Sequence, residues 1–79
     1  MKLRIKYFGM LADLTGRSEE EIELETGSNS RELVDRISAQ YEGFADYDYN
    51  LAVNMNLIHD PVSLEEMDEI AFLPPYAGG

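Results

Sequence analysis

A chain of 79 residues has room for one domain, 1–79, and its 44 % hydrophobic content is enough to fill a single core without staples. Sixteen acidic residues against six basic ones give a formal charge of −10, which excludes nucleic-acid binding by counterion release and suits steering toward basic partners. With no cysteine, disulfides, thiolate metal sites and a cysteine nucleophile are excluded, and a reducing, cytoplasmic setting is the expectation.

The first six residues alternate instead of forming an apolar run, so they read as neither a signal peptide nor a membrane span. From Lys2 to Phe8, Leu3, Ile5 and Tyr7 take one face, and Lys2, Arg4, Lys6 and Phe8 the other, as in a half-buried strand. Gly9 ends it, and Met10 to Thr15 form a short helical turn closed by Gly16. A second alternating run sets Glu21, Glu23 and Glu25 against Ile22 and Leu24; paired antiparallel to the first, its glutamates sit opposite Lys2, Arg4 and Lys6. Asn29 with Glu32 three residues on is a capping box, followed by Leu33, Val34, Ile37 and Tyr41 at helical spacing, with Gly43 as the stop. The stretch from Phe44 to Asn50 carries no periodicity and receives no assignment. Leu51, Val53 and Met55 alternate as a third strand, Asn54 and Asn56 favour a turn, Leu57-Ile58 is a short fourth strand, and Glu69 to Leu73 is the last, with Ile70 and Phe72 inward. Strands surrounding one main helix predict an α+β, β-grasp (ubiquitin-like) roll with a mixed sheet of four to five strands.

Catalytic groups are sparse. His59 is the sole histidine and lies beside the Asp60-Pro61 turn, where a surface role is expected. The glycines before the tail fall at element boundaries, not in a phosphate loop. Glu19-Glu20-Glu21 reads as a solvated charge run and not a cation site, so no metal and no bound cofactor are expected. The closing residues differ. Pro74 cannot donate to a ladder and ends the last strand, and Pro74-Pro75 favour an extended path. Past Tyr76, Ala77, Gly78 and Gly79 taper to a bare α-carboxylate, and the tail, 74–79, is expected to be flexible and able to thread a narrow channel in another protein. Phe8 and Leu73 are large apolar side chains on the wet faces of the first and last strands, which are neighbours in a β-grasp sheet; together they predict a partner-binding patch.

Over its whole length the chain resembles the MoaD branch of the MoaD/ThiS sulfur-carrier family, the small subunits of molybdopterin synthase. The resemblance is carried by Ile5-Lys6-Tyr7-Phe8 with the Leu11 to Gly16 turn, by Leu51-Ala52-Val53-Asn54, and most specifically by Asp68 to Gly79, which ends in a Phe-x-Pro-Pro-x-x-Gly-Gly pattern. Tyr76 stands where the branch often has valine, and Met67 where its turn usually has glycine. The resemblance adds Leu57 as a third partner contact. It implies that an ATP-dependent, E1-like adenylyltransferase activates Gly79, that a sulfur donor converts it to a thiocarboxylate, and that the tail delivers the sulfur to a pyranopterin precursor in the large subunit, within a heterotetramer of two small and two large subunits. Catalytic side chains belong to the large subunit; no nucleic acid and no membrane are involved. The alternatives are the same tail chemistry serving thiamine, tRNA thiolation or protein conjugation, and a β-grasp module that binds partners non-covalently.

Overall fold

The computed structural model describes residues 1–75; the expectations placed on Tyr76 to Gly79 lie outside the described residues. The elements are β1 (Lys2–Tyr7), α1 (Met10–Thr15), β2 (Glu19–Glu23), α2 (Ser30–Gln40), a 3₁₀ turn (Phe44–Asp46), β3 (Asn50–Val53), β4 (Asn56–Ile58) and β5 (Glu69–Leu73). They form a five-stranded mixed sheet in the order β2-β1-β5-β3-β4. β1 and β5 run parallel in its middle, and the other neighbours are antiparallel. This is the β-grasp roll that the element order implies.

Each element forms for a local reason. α2 opens on the expected capping box, with Asn29 Oδ1 accepting from the Glu32 backbone N–H at 2.9 Å and the Glu32 carboxylate accepting from Asn29 N–H at 3.2 Å. α1 closes on Gly16 in the left-handed region. Asn54 and Met55, at φ 50° and 70°, make the two-residue turn that joins β3 to β4. One face of the sheet, through Leu3, Ile5, Tyr7, Ile22, Ile70 and Phe72, is buried under Leu33 and Ile37 of α2, and burying each such side chain contributes about 1.5–3 kcal/mol.

The unassigned stretch is exposed over 45–48 but sends two of its aromatic side chains to the core. Phe44 is fully buried edge-on to Phe72, with ring centroids 5.1 Å apart, and Tyr49 meets Phe72 at 5.0 Å.

Besides Met55, which lies in the β3–β4 turn and not in the third strand, two expectations need correction. In the β1–β2 register Lys2, Arg4 and Lys6 face Glu23, Glu21 and Glu19, so Glu25 lies beyond the ladder and Glu19 takes its place. Lys6 turns instead to the strand on its other side, its Nζ lying 3.2 Å from Glu69 Oε1. Second, Glu20 is not solvated: its carboxylate accepts from the hydroxyls of Tyr7 at 2.6 Å and Tyr41 at 2.7 Å, and Arg17 lies 3.3 Å away. Among the described residues no cluster of His, Asp and Glu is placed to hold a metal ion, and no helix is long and apolar enough to cross a membrane.

Candidate functional site

The face of the sheet turned away from α2 carries the patch. One rung crosses all five strands as Glu19, Lys6, Ala71, Ala52 and Leu57. Ala71 lies between the core residues Ile70 and Phe72, and Ala52 between Leu51 and Val53, which pack on the core; strand alternation therefore turns both alanines to the open face. Their lack of bulk leaves a concavity of about 430 Å³, walled by Phe8, Leu57, Leu73 and Met55 and bordered by the Lys6–Glu69 ion pair.

Phe8 is 44 % exposed, Leu57 49 % and Met55 88 %, which is unusual for clustered apolar side chains. Phe8 and Leu73 line this concavity, whereas Phe44 and Tyr49 pack against the core residue Phe72. The structure therefore brings together the three residues predicted for partner binding. It adds three that sequence reasoning missed: Ala52, Ala71 and Met55.

The end of β5 is built into the same surface. The Phe8 backbone N–H donates to the Phe72 carbonyl at 3.1 Å, carrying the β1–β5 pairing past Tyr7. β5 stops at Leu73, as Pro74 dictates. Gly9, at φ 62°, lies so close to Pro74 that a Cβ would come within 3.2 Å of the proline Cγ. On the opposite flank the Asn50 side-chain amide donates to the carbonyls of Pro74 at 3.5 Å and Pro75 at 3.0 Å.

Asn54, just past the other end of β3, does the same for the start of β5. Its Nδ2 donates to Asp68 Oδ1 at 2.9 Å and its Oδ1 accepts from Glu69 N–H at 3.0 Å. In the sequence Gly9 reads only as a strand end and Asn50 as part of the unassigned stretch; an amide side chain 24 and 25 residues from the prolines it meets leaves no sequence-local signal.

The remaining sequence candidates stand apart from this surface. His59 is exposed in the bend after β4. The Tyr7–Glu20–Tyr41 group lies beneath β1 and β2, where burial first, and then the hydrogen bond to Glu20, push both tyrosine hydroxyls above their usual range. It ties the end of α2 to the sheet.

A model of the ThiS family matches residues 5–79. The molybdopterin synthase sulfur carrier subunit of Mycobacterium tuberculosis is 30 % identical over 82 residues, an alignment that takes in 100 % of this chain and 99 % of that one. Among solved structures, a putative molybdopterin converting factor, subunit 1, from Pyrococcus furiosus matches with a TM-score of 0.87 at 33 % identity, over 95 % of this chain and 98 % of that one. A chain from the complex of subunits 1 and 2 of the Helicobacter pylori molybdopterin-converting factor matches with a TM-score of 0.71 at 26 % identity, over 100 % of both.

Proposed function

The chain belongs to the ThiS family, and from that premise we propose that it is a sulfur carrier of molybdenum cofactor synthesis, the small subunit that donates sulfur inside a cytoplasmic molybdopterin synthase. One observation carries the reading beyond family membership: Leu73 lines the apolar concavity, and Pro74 follows it directly. A partner seated on Phe8, Leu57 and Leu73 therefore meets the start of the tail at the edge of its own footprint.

The working group is the carboxylate of Gly79. A carboxylate is a poor electrophile, so an E1-like adenylyltransferase must activate it: a carboxylate oxygen attacks the α-phosphorus of ATP and pyrophosphate leaves. Sulfur from a donor then attacks the acyl carbon and AMP departs, leaving a thiocarboxylate. In the large subunit that sulfur attacks a carbon of the pyranopterin precursor and displaces an oxygen substituent from it, and water then cleaves the resulting thioester, leaving the sulfur on the product and returning the Gly79 carboxylate. Gly78 and Ala77 keep the tail narrow enough to enter such a site. Holding the sulfur in place raises its effective concentration far above that of a free thioacid. The carrier contributes the reacting atom and the docking surface, and its partner contributes the catalytic side chains.

The test is the mass of the protein after incubation with ATP, the activating enzyme and a sulfide source. Exchange of one oxygen for one sulfur at Gly79 is the expected result. Full function from a chain lacking Gly78-Gly79 overturns it and identifies a non-covalent binding module instead.

A further inference from the structure

The two hydrogen bonds from Asn50 have no role in holding the sheet together, because the backbone of Asn50 already pairs with Leu73 in the β3–β5 ladder. Its side chain reaches one step further, to carbonyls past the end of the ladder: prolines supply no N–H, so regular pairing stops at Leu73. The opposite flank of Pro74 is occupied by Gly9, where the absence of a side chain lets the Pro74 ring close against the backbone. β1 and β3 are the two neighbours of β5, so Gly9 and Asn50 straddle the tail base from both sides. Phe8, next to Gly9, and Leu73, next to Pro74, line the concavity. The apolar concavity and the tail base are thus built from adjoining residues.

We propose that Asn50 is a positioning residue for the carrier's tail: its amide fixes the path of Pro74 and Pro75 relative to the docking surface, four residues before the Gly79 carboxylate. This rests on the sulfur-carrier reading and adds a geometric constraint to it. Four residues span at most about 14 Å when fully extended. The reacting carbon of a docked partner's substrate therefore lies within that radius of the Pro75 carbonyl. Releasing the clamp returns Pro74 and Pro75 to the linker, which lengthens its reach, lowers the local concentration of the Gly79 end and loosens its direction.

The experiment compares wild type with Asn50→Asp, which keeps the shape but has no donor at neutral pH, and Asn50→Gln, which keeps the donors on a longer arm. Three quantities are read: the carbonyl ¹³C shifts of Pro74 and Pro75 in the free protein, the Kd for the large subunit, and the single-turnover rate of sulfur transfer from preloaded thiocarboxylate. For N50D both carbonyl shifts move, Kd stays within about twofold because the concavity is intact, and the transfer rate falls roughly tenfold, the scale expected for lost orientation. N50Q recovers part of that rate. Unmoved carbonyl shifts in N50D overturn the clamp itself. A Kd that weakens in step with the rate, or a rate that does not change, overturns the positioning role. A wild-type chain that never acquires sulfur overturns the underlying reading while leaving the carbonyl result to stand alone.

Discussion

Ala71 of β5 and Ala52 of β3 face each other across one rung of the ladder, and the space their side chains leave is the floor of the concavity between Phe8, Leu57 and Leu73. Bulk on that floor removes the cavity without touching the core, since Ala71 points away from Ile70 and Phe72. Ala71→Phe is therefore expected to weaken binding to the large subunit by tenfold or more, on the order of 1.4 kcal/mol, with little change in thermal midpoint. Titration calorimetry beside a melting curve checks both halves. Tight binding by A71F places the partner elsewhere.

The walls lead to a companion expectation. Phe8→Ala and Leu73→Ala each remove a large apolar contact from the rim and should weaken the complex by roughly 1–3 kcal/mol, the range for central interface residues. Phe8, at 44 % exposure, has little folding energy to lose. Normal binding with a sharply lowered stability in both variants identifies these side chains as structural and removes them from the interface.

Gly79 is expected to be sensitive to position. One residue appended after it, or its deletion, should abolish adenylation and sulfur transfer, because the activating enzyme must find an unhindered carboxylate at a fixed distance from the docked body. Chain ends commonly add little to folding stability, so the melting temperature is expected to stay unchanged. Turnover by the extended chain measured with ATP and the activating enzyme would contradict the mechanism.

Much of this architecture was legible because it follows from short-range rules. Strict alternation from Lys2 exposes β1, the Asn29–Glu32 box opens α2, and Pro74 closes β5, each within a few residues of its cause. The misreadings share the opposite property. Glu20 looks like one member of an acidic run, yet its acceptors are satisfied by Tyr7 and Tyr41, 13 and 21 residues away. Phe44 and Tyr49 belong to the core through contacts with Phe72 that no local period records. The site splits along the same line. Bulky Phe8 and Leu73 stood out on a polar face, whereas Ala52 and Ala71 shape the cavity by what they lack, and a missing side chain gives no pattern.

Two methionines occupy left-handed backbone, a conformation that disfavours residues with a Cβ by about 1–2 kcal/mol: Met55 at φ 70° and Met67 at φ 66°. Met67 lies in the turn before β5, away from the concavity, whereas Met55 lines it. Glycine at either position relieves the strain but gives back chain entropy, so each variant should gain about 0.5–1 kcal/mol. Binding separates them: Met67→Gly should leave the Kd for the large subunit unchanged, and Met55→Gly should raise it severalfold by removing part of the wall. Backbone strain retained at an exposed residue is then explained at Met55 by contact with the partner. Equal Kd values for the two variants would remove Met55 from the interface.

The hydroxyl of Tyr7 is buried and donates to Glu20 at 2.6 Å, and burial followed by that hydrogen bond raises its pKa far above the ordinary tyrosine range. In the unfolded chain the same phenol ionises near pH 10. Below that pH both states hold the proton and stability does not depend on it. Above it the unfolded state releases a proton that the folded state keeps, so the unfolded state binds fewer protons and stability falls with rising pH. Tyr41, shifted in the same direction by the same two causes, adds to the slope. Thermal midpoints are therefore expected to decline from about pH 10 upward, with phenolate absorbance from Tyr7 developing only together with unfolding. Tyr7→Phe should flatten that decline at alkaline pH, while lowering stability near neutrality by about 1 kcal/mol because Glu20 loses a donor. Phenolate absorbance from Tyr7 in a still-folded protein at pH 10–11 would show that the hydroxyl is open to solvent and that the buried triad is misassigned.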